Sequence, residues 1–129
     1  MEKEFCTYNQ ALRLKALGFK ERVLTYYENG VPKLHNDITG WDFNTSFMTC
    51  VSRPTYSQAF RWFREKHNLH CAVNTHTSST NQLTYICSLE FGKKLTYEEA
   101  ELACLDKLLE IVESKQKEDG KLGKIKQRI

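Results

Sequence analysis

Apolar and polar positions change period several times along this chain. From Tyr8 to Leu17 apolar side chains recur every three or four positions, and Gly18-Phe19 reads as a Schellman stop with Phe19 folding back on Leu14. Short extended runs then flank Asn29-Gly30, the strongest local signal for a hairpin, and Pro32 marks the second run as an edge strand. Phe43, Thr45, Phe47, Thr49 and Val51 alternate with other residues and predict a third strand. Helical spacing returns from Tyr56 to Asn68, with Tyr56, Ala59, Phe60, Phe63 and His67 on one stripe and Trp62 on its flank. Two further strands are expected around Cys71–Thr75 and Leu83–Phe91, the second with Leu83, Tyr85, Cys87, Leu89 and Phe91 facing inward. A last helix, Tyr97 to Ser114, carries two adjacent apolar seams covering roughly 200° of the wheel. That arc is wider than one sheet needs, so Leu102, Leu105, Leu109 and Val112 are expected at an interface with another helix or a second protomer.

The helix starts share one word. TYNQA, TYSQA and TYEEA each place Thr three residues before Gln or Glu: Thr7/Gln10, Thr55/Gln58 and Thr96/Glu99. This is the capping box, in which the Thr hydroxyl accepts from the third backbone N–H and the Gln or Glu reaches back. The segments between the copies do not align, so the word marks helix entries and not a repeat architecture. The pattern predicts an α+β fold: three capped helices on an antiparallel sheet of four or five strands, in the order α-β-β-β-α-β-β-α. Residues 1–114 are expected to form a single domain and residues 115–129 a basic, flexible tail.

Charge sharpens that division. Six basic and two acidic residues lie from Lys115 onward, against 13 basic and 14 acidic before it. Lys121, Lys124, Lys126 and Arg128 are therefore the candidates for weak, salt-sensitive contact with nucleic acid, while the near-neutral body argues against a dedicated nucleic-acid domain. No run of about 18 apolar residues is present, so no membrane span is expected. The opening MEKEFCTYNQ lacks the apolar stretch of a signal peptide. The five cysteines (Cys6, Cys50, Cys71, Cys87 and Cys104) are odd in number and widely spaced. Reduced thiols and a cytoplasmic location are the expectation.

Convergent chemistry is sparse. His67, His70, Cys71 and His76 cluster in sequence, but no Cys-x-x-Cys or His-x₃-His spacing exists, and His70 and His76 on one strand lie about 20 Å apart. No metal, cofactor or catalytic residue is assigned. Gly-x-Ser-x-Gly, phosphate-loop and dinucleotide motifs are missing from the sequence. Glu98, Glu99 and Glu101 occupy the first turn of the last helix, against an anion site there. What stands out is the irregular stretch His35–Asn44, where His35, Asp37, Trp41 and Asp42 gather. They form a candidate ligand site, or a loop in which Trp41 caps the sheet and the aspartates make turns.

The blocks ALRLKALGF, SRPTYSQAFRWFREKHNLH and LTYEEAELACLDKLLEIV resemble a family of small uncharacterised proteins associated with Bacteroidetes-type gut bacteria and their phages and mobile elements. The resemblance implies an intracellular protein of phage or mobile-element origin and brings no catalytic residue with it. The expected role is that of a non-catalytic accessory factor acting through an unknown protein partner, with a homodimer through the last helix as one form of it. The alternatives are a nucleic-acid-associated protein using the tail, and a small-molecule binder or enzyme at the His35–Asn44 loop.

Overall fold

The structure, a computed structural model, describes residues 4–36, 38–46, 49–77, 79, 81–87, 93, 94 and 96–127. Its elements run α1 (Tyr8–Ala16), β1 (Thr25–Glu28), β2 (Val31–Leu34), α2 (Phe43–Ser46), β3 (Cys50–Ser52), α3 (Tyr56–His67), β4 (Val73–Thr77), β5 (Leu83–Cys87), β6 (Lys93–Lys94) and α4 (Tyr97–Gln127). The class is α+β. The described strands do not form one sheet of four or five strands. They form two antiparallel sheets, β2-β1-β3 and β4-β5-β6.

Each repeated word opens a helix. Thr7 and Thr55 hold extended backbone, and complete capping boxes with Gln10 and Gln58 start α1 and α3. At the third copy the Thr96 hydroxyl accepts from the Glu99 amide at 3.2 Å. The end of α1 is equally local. Phe19 N–H donates to Leu14 C=O and Gly18 N–H to Lys15 C=O, the paired bonds of a Schellman stop, with Gly18 at φ +95°. Asn68, at φ +52°, ends α3.

The first sheet has two unlike faces. Asn29 and Gly30, both at positive φ, close the predicted hairpin. Pro32 pairs with Tyr27 on β2, an outer strand of this sheet, where a missing N–H costs the ladder nothing. Tyr27 and Val51 on one face pack against Ala11 of α1. The other face carries Tyr26 and Glu28 beside their cross-strand partners Ser52 and Cys50.

The predicted strand from Phe43 to Val51 is a correction. Among its described residues Cys50–Ser52 is extended and Phe43–Ser46 makes a helical turn, while Phe47 lies outside the described residues. Asp42 starts that turn by accepting from Asn44 N–H and from the Thr45 hydroxyl. Asn44 then accepts from Ser52 N–H at 2.8 Å and donates to Phe19 C=O at 3.0 Å, pinning the turn to β3. These side-chain bonds compete with strand pairing and win.

The facing of β5 also differs from expectation. Leu83 is exposed and Thr84 is buried, so the inward face at the start of the strand is the polar one. Leu89 and Phe91 lie outside the described residues. In α3, Trp62 is buried and not on the flank, with Phe19 and His67 edge-on to its ring at 5.5 and 4.9 Å.

The wide arc of α4 is satisfied within the chain. Leu105, Leu109 and Val112 are buried in the same cluster as Leu14 of α1 and Phe63 of α3. A second protomer is not needed to cover them. Of the four residues expected at an interface, Leu102 is exposed. The helical backbone also continues past Ser114 to Gln127, so Lys121, Lys124 and Lys126 fall on its last turns, while Arg128 lies outside the described residues. Lys, Glu and Gln propagate a helix once a packed segment has nucleated it.

Gln10 ties the three long helices together. It is 1% exposed. Its Oε1 accepts from Thr7 N–H and from the Tyr56 hydroxyl, and its Nε2 donates to Leu102 C=O and Asp106 Oδ1. Beside it, Arg13 bridges α1 to α4 through a forked pair with Glu113 at 2.6 and 3.1 Å. That bond holds the Glu113 carboxyl below its ordinary range and raises the Arg13 guanidinium.

Cys71 and Cys104 are joined in a disulfide, their Cα atoms 6.7 Å apart. This corrects the expectation of reduced thiols throughout. The link spans 33 residues with β4, β5 and β6 between its ends, a pairing that spacing along a chain does not reveal. Cys6 and Cys50 are free and buried. No helix among the described residues is long and apolar enough to cross a membrane.

Candidate ligand cleft

The outer face of the first sheet does not join the main core flush. The chain leaves β2 at His35, whose N–H donates to Leu24 C=O at 2.7 Å, and returns at Trp41, which exchanges two 3.0 Å backbone bonds with Val23. Gly40 makes that return feasible. It sits at φ +74°, and a Cβ there would lie 2.9 Å from Val23 O. The returning segment stands over Tyr26 and leaves an open cleft of about 610 Å³.

Its walls are aromatic. Tyr26 stacks on Phe43 with ring centroids 4.1 Å apart and planes at 16°. His35 meets Phe43 edge-on at 5.3 Å. Trp41 lines the cleft and is 43% exposed. Glu28, Asn36, Thr49 and Cys50 supply the polar lining. The Glu28 carboxylate pairs with Lys33 Nζ at 3.4 Å, both side chains well exposed, so the pair contributes less than about 1 kcal/mol.

Of the four residues the sequence nominates, His35 and Trp41 line this cleft. Asp42 does not. Both its oxygens are engaged in starting α2, which is the turn-making role its sequence context also allows. Asp37 lies outside the described residues. Tyr26, Glu28, Phe43, Thr49 and Cys50 complete the cleft without having been nominated. The available signal was Tyr26 and Glu28 at alternate positions beside Asn29-Gly30, which puts them on one face of the hairpin.

The cleft's described lining is aromatic with a few polar groups. Among the described residues no three His, Cys, Asp or Glu side chains converge for a metal ion. The free thiol of Cys50 is buried. No hydrogen-bonded nucleophile–base pair lies among the cleft contacts described.

Electrostatic strain is concentrated elsewhere, where the start of α4 meets Thr55–Ser57. Burial, with Glu98 and Glu4 adding like charge, raises the Glu101 carboxyl to about 7. Tyr97 beside it is raised as well, by burial and then by Glu101. The folded chain thus holds a proton on Glu101 that the unfolded chain releases near pH 4.5. Stability is expected to be highest below that pH as far as this group contributes, to fall as pH rises to about 7, and then to level off. Thermal unfolding at pH 5 and 7.5 checks this. Glu101→Gln should flatten the difference between the two midpoints, and an unchanged difference would contradict the assignment.

Compared with protein-family models, curated proteins and solved structures, the chain matches none. Functional reading therefore rests on the cleft's own geometry.

Proposed function

We propose that this protein is a non-catalytic binding factor that receives an exposed segment of a partner protein in the cleft between β1 and the His35–Phe43 return. The observation that carries this reading is the combination of open volume with aromatic walls that are already stacked in place. Preformed apolar walls with a few polar groups are what a binding site needs, since little ordering is left to do on association. An accessory role of phage or mobile-element origin belongs to the same proposal.

A cytoplasmic location belongs to the same proposal, but the Cys71–Cys104 disulfide counts against it, because such links persist mainly in oxidising compartments. A homodimer through α4 loses its motivation, since the seam that called for it is buried in the chain's own core.

Two-dimensional ¹⁵N NMR with a pool of short peptides tests the reading. The chain has two tryptophans, Trp41 in the cleft and Trp62 in the core, so each indole N–H reports on one environment. Bound peptides should shift Trp41 together with the amides of Tyr26, Glu28 and Thr49, and leave Trp62 in place. Shifts confined to β4 or to α4 would refute a cleft site.

A further inference from the structure

The cleft also carries information on the chemistry of its occupant. We propose that it selects an arginine side chain of the partner segment, with the guanidinium against the aromatic wall and Glu28 as its counter-ion. This rests on the reading of the cleft as a partner-binding site.

Three observations converge. The wall is aromatic: Trp41 is exposed in it, and Tyr26 lines it with one face stacked on the buried Phe43. Such faces are electron-rich and attract cations. Among the described residues the lining includes one carboxylate, Glu28, and no lysine or arginine. That carboxylate already holds an ammonium, Lys33 Nζ at 3.4 Å, from the neighbouring strand. Lys33 stands opposite Tyr26 on the same face of the sheet, and its exposed ammonium is a loosely tethered place-holder that an incoming cation can displace.

Between the two cationic side chains the geometry favours arginine. A guanidinium is planar, stacks on aromatic faces and presents forked donors that match a carboxylate, whereas an ammonium is a strongly hydrated point charge. A cleft of about 610 Å³ has room for the arginine and its flanking backbone.

The test uses the whole chain, ¹⁵N-labelled, titrated with N-acetyl-arginine-methylamide, its lysine counterpart and the neutral isostere N-acetyl-citrulline-methylamide. Arginine amide is expected to shift the Trp41 indole and Glu28 amide resonances, with citrulline amide at least about tenfold weaker and lysine amide between them. Glu28→Gln should weaken arginine binding about tenfold, the loss of one charge-assisted contact, and leave citrulline unaffected. Lys33→Ala should act in the opposite sense and strengthen arginine binding, because the place-holder is gone. Citrulline binding as well as arginine, or indifference to both substitutions, would overturn the charge assignment while leaving a neutral binding cleft standing. If none of the three amides moves Trp41 while the peptide pool does, the arginine assignment also fails and the cleft reading survives. Silence from both amides and peptides would remove both.

Discussion

Gln10→Ala is expected to lower the thermal midpoint by about 10 °C, corresponding to roughly 3 kcal/mol for a domain of this size. The effect is large because one buried side chain serves three helices. Its loss leaves the Tyr56 hydroxyl, the Thr7 amide and the facing Asp106 carboxylate without their shared partner. The buried Tyr56 hydroxyl so orphaned costs about 1–3 kcal/mol before relaxation, and the exposed Thr7 amide and the Asp106 carboxylate, which keeps Arg13, add less. Thr7→Ala, which removes only the hydroxyl half of the same box, should cost about 1 kcal/mol. Denaturant unfolding of the two variants side by side checks the comparison. A Gln10→Ala loss no larger than that of Thr7→Ala would mean that the glutamine caps a helix and does nothing more.

The second large effect concerns the Cys71–Cys104 link. Replacing both cysteines with serine should cost about 3–4 kcal/mol, the loop-closure value for a span of some 33 residues. Reducing the unmodified protein should reproduce the same loss, since the free thiols of Cys6 and Cys50 are buried and already unlinked. Burial also pushes the Cys6 thiol far above its ordinary range, which keeps it unreactive. Thiol titration under denaturing conditions, with and without reductant, shows whether the link is present in the purified protein. Equal stability with and without reductant would contradict its structural weight.

Helix entries and the hairpin were legible in the sequence because their determinants are local. Thr-x-x-Gln/Glu, Gly18-Phe19 and Asn29-Gly30 act through bonds spanning a few residues, and all three stand in the structure where the pattern puts them. Two of the eight described lining residues of the cleft were legible for a related reason. His35 and Trp41 stand out as aromatic groups in an irregular stretch, and they line it. Tyr26 and Phe43 were not legible as partners, because their stacking depends on α2 folding back onto β3 through Asn44 and Ser52. Alternation alone read that turn as strand, and only the side-chain bonds of Asp42 and Asn44 decide otherwise. The arc of α4 left two occupants open, another helix or a second protomer, and the chain's own helices cover Leu105, Leu109 and Val112 while Leu102 stays exposed. Periodicity shows how much of a helix is apolar and not which element covers it, and here α1 and α3 both pack on α4. The disulfide and the facing of β5 are likewise tertiary facts.

Site-specific photocrosslinking in the native host tests the functional account most directly. A benzophenone amino acid replaces Trp41 at the cleft in one protein and Asn74 on exposed β4 in another. The cleft reading predicts a discrete covalent adduct with a partner protein from position 41 and none from position 74. An adduct from position 74, with none from position 41, would contradict it.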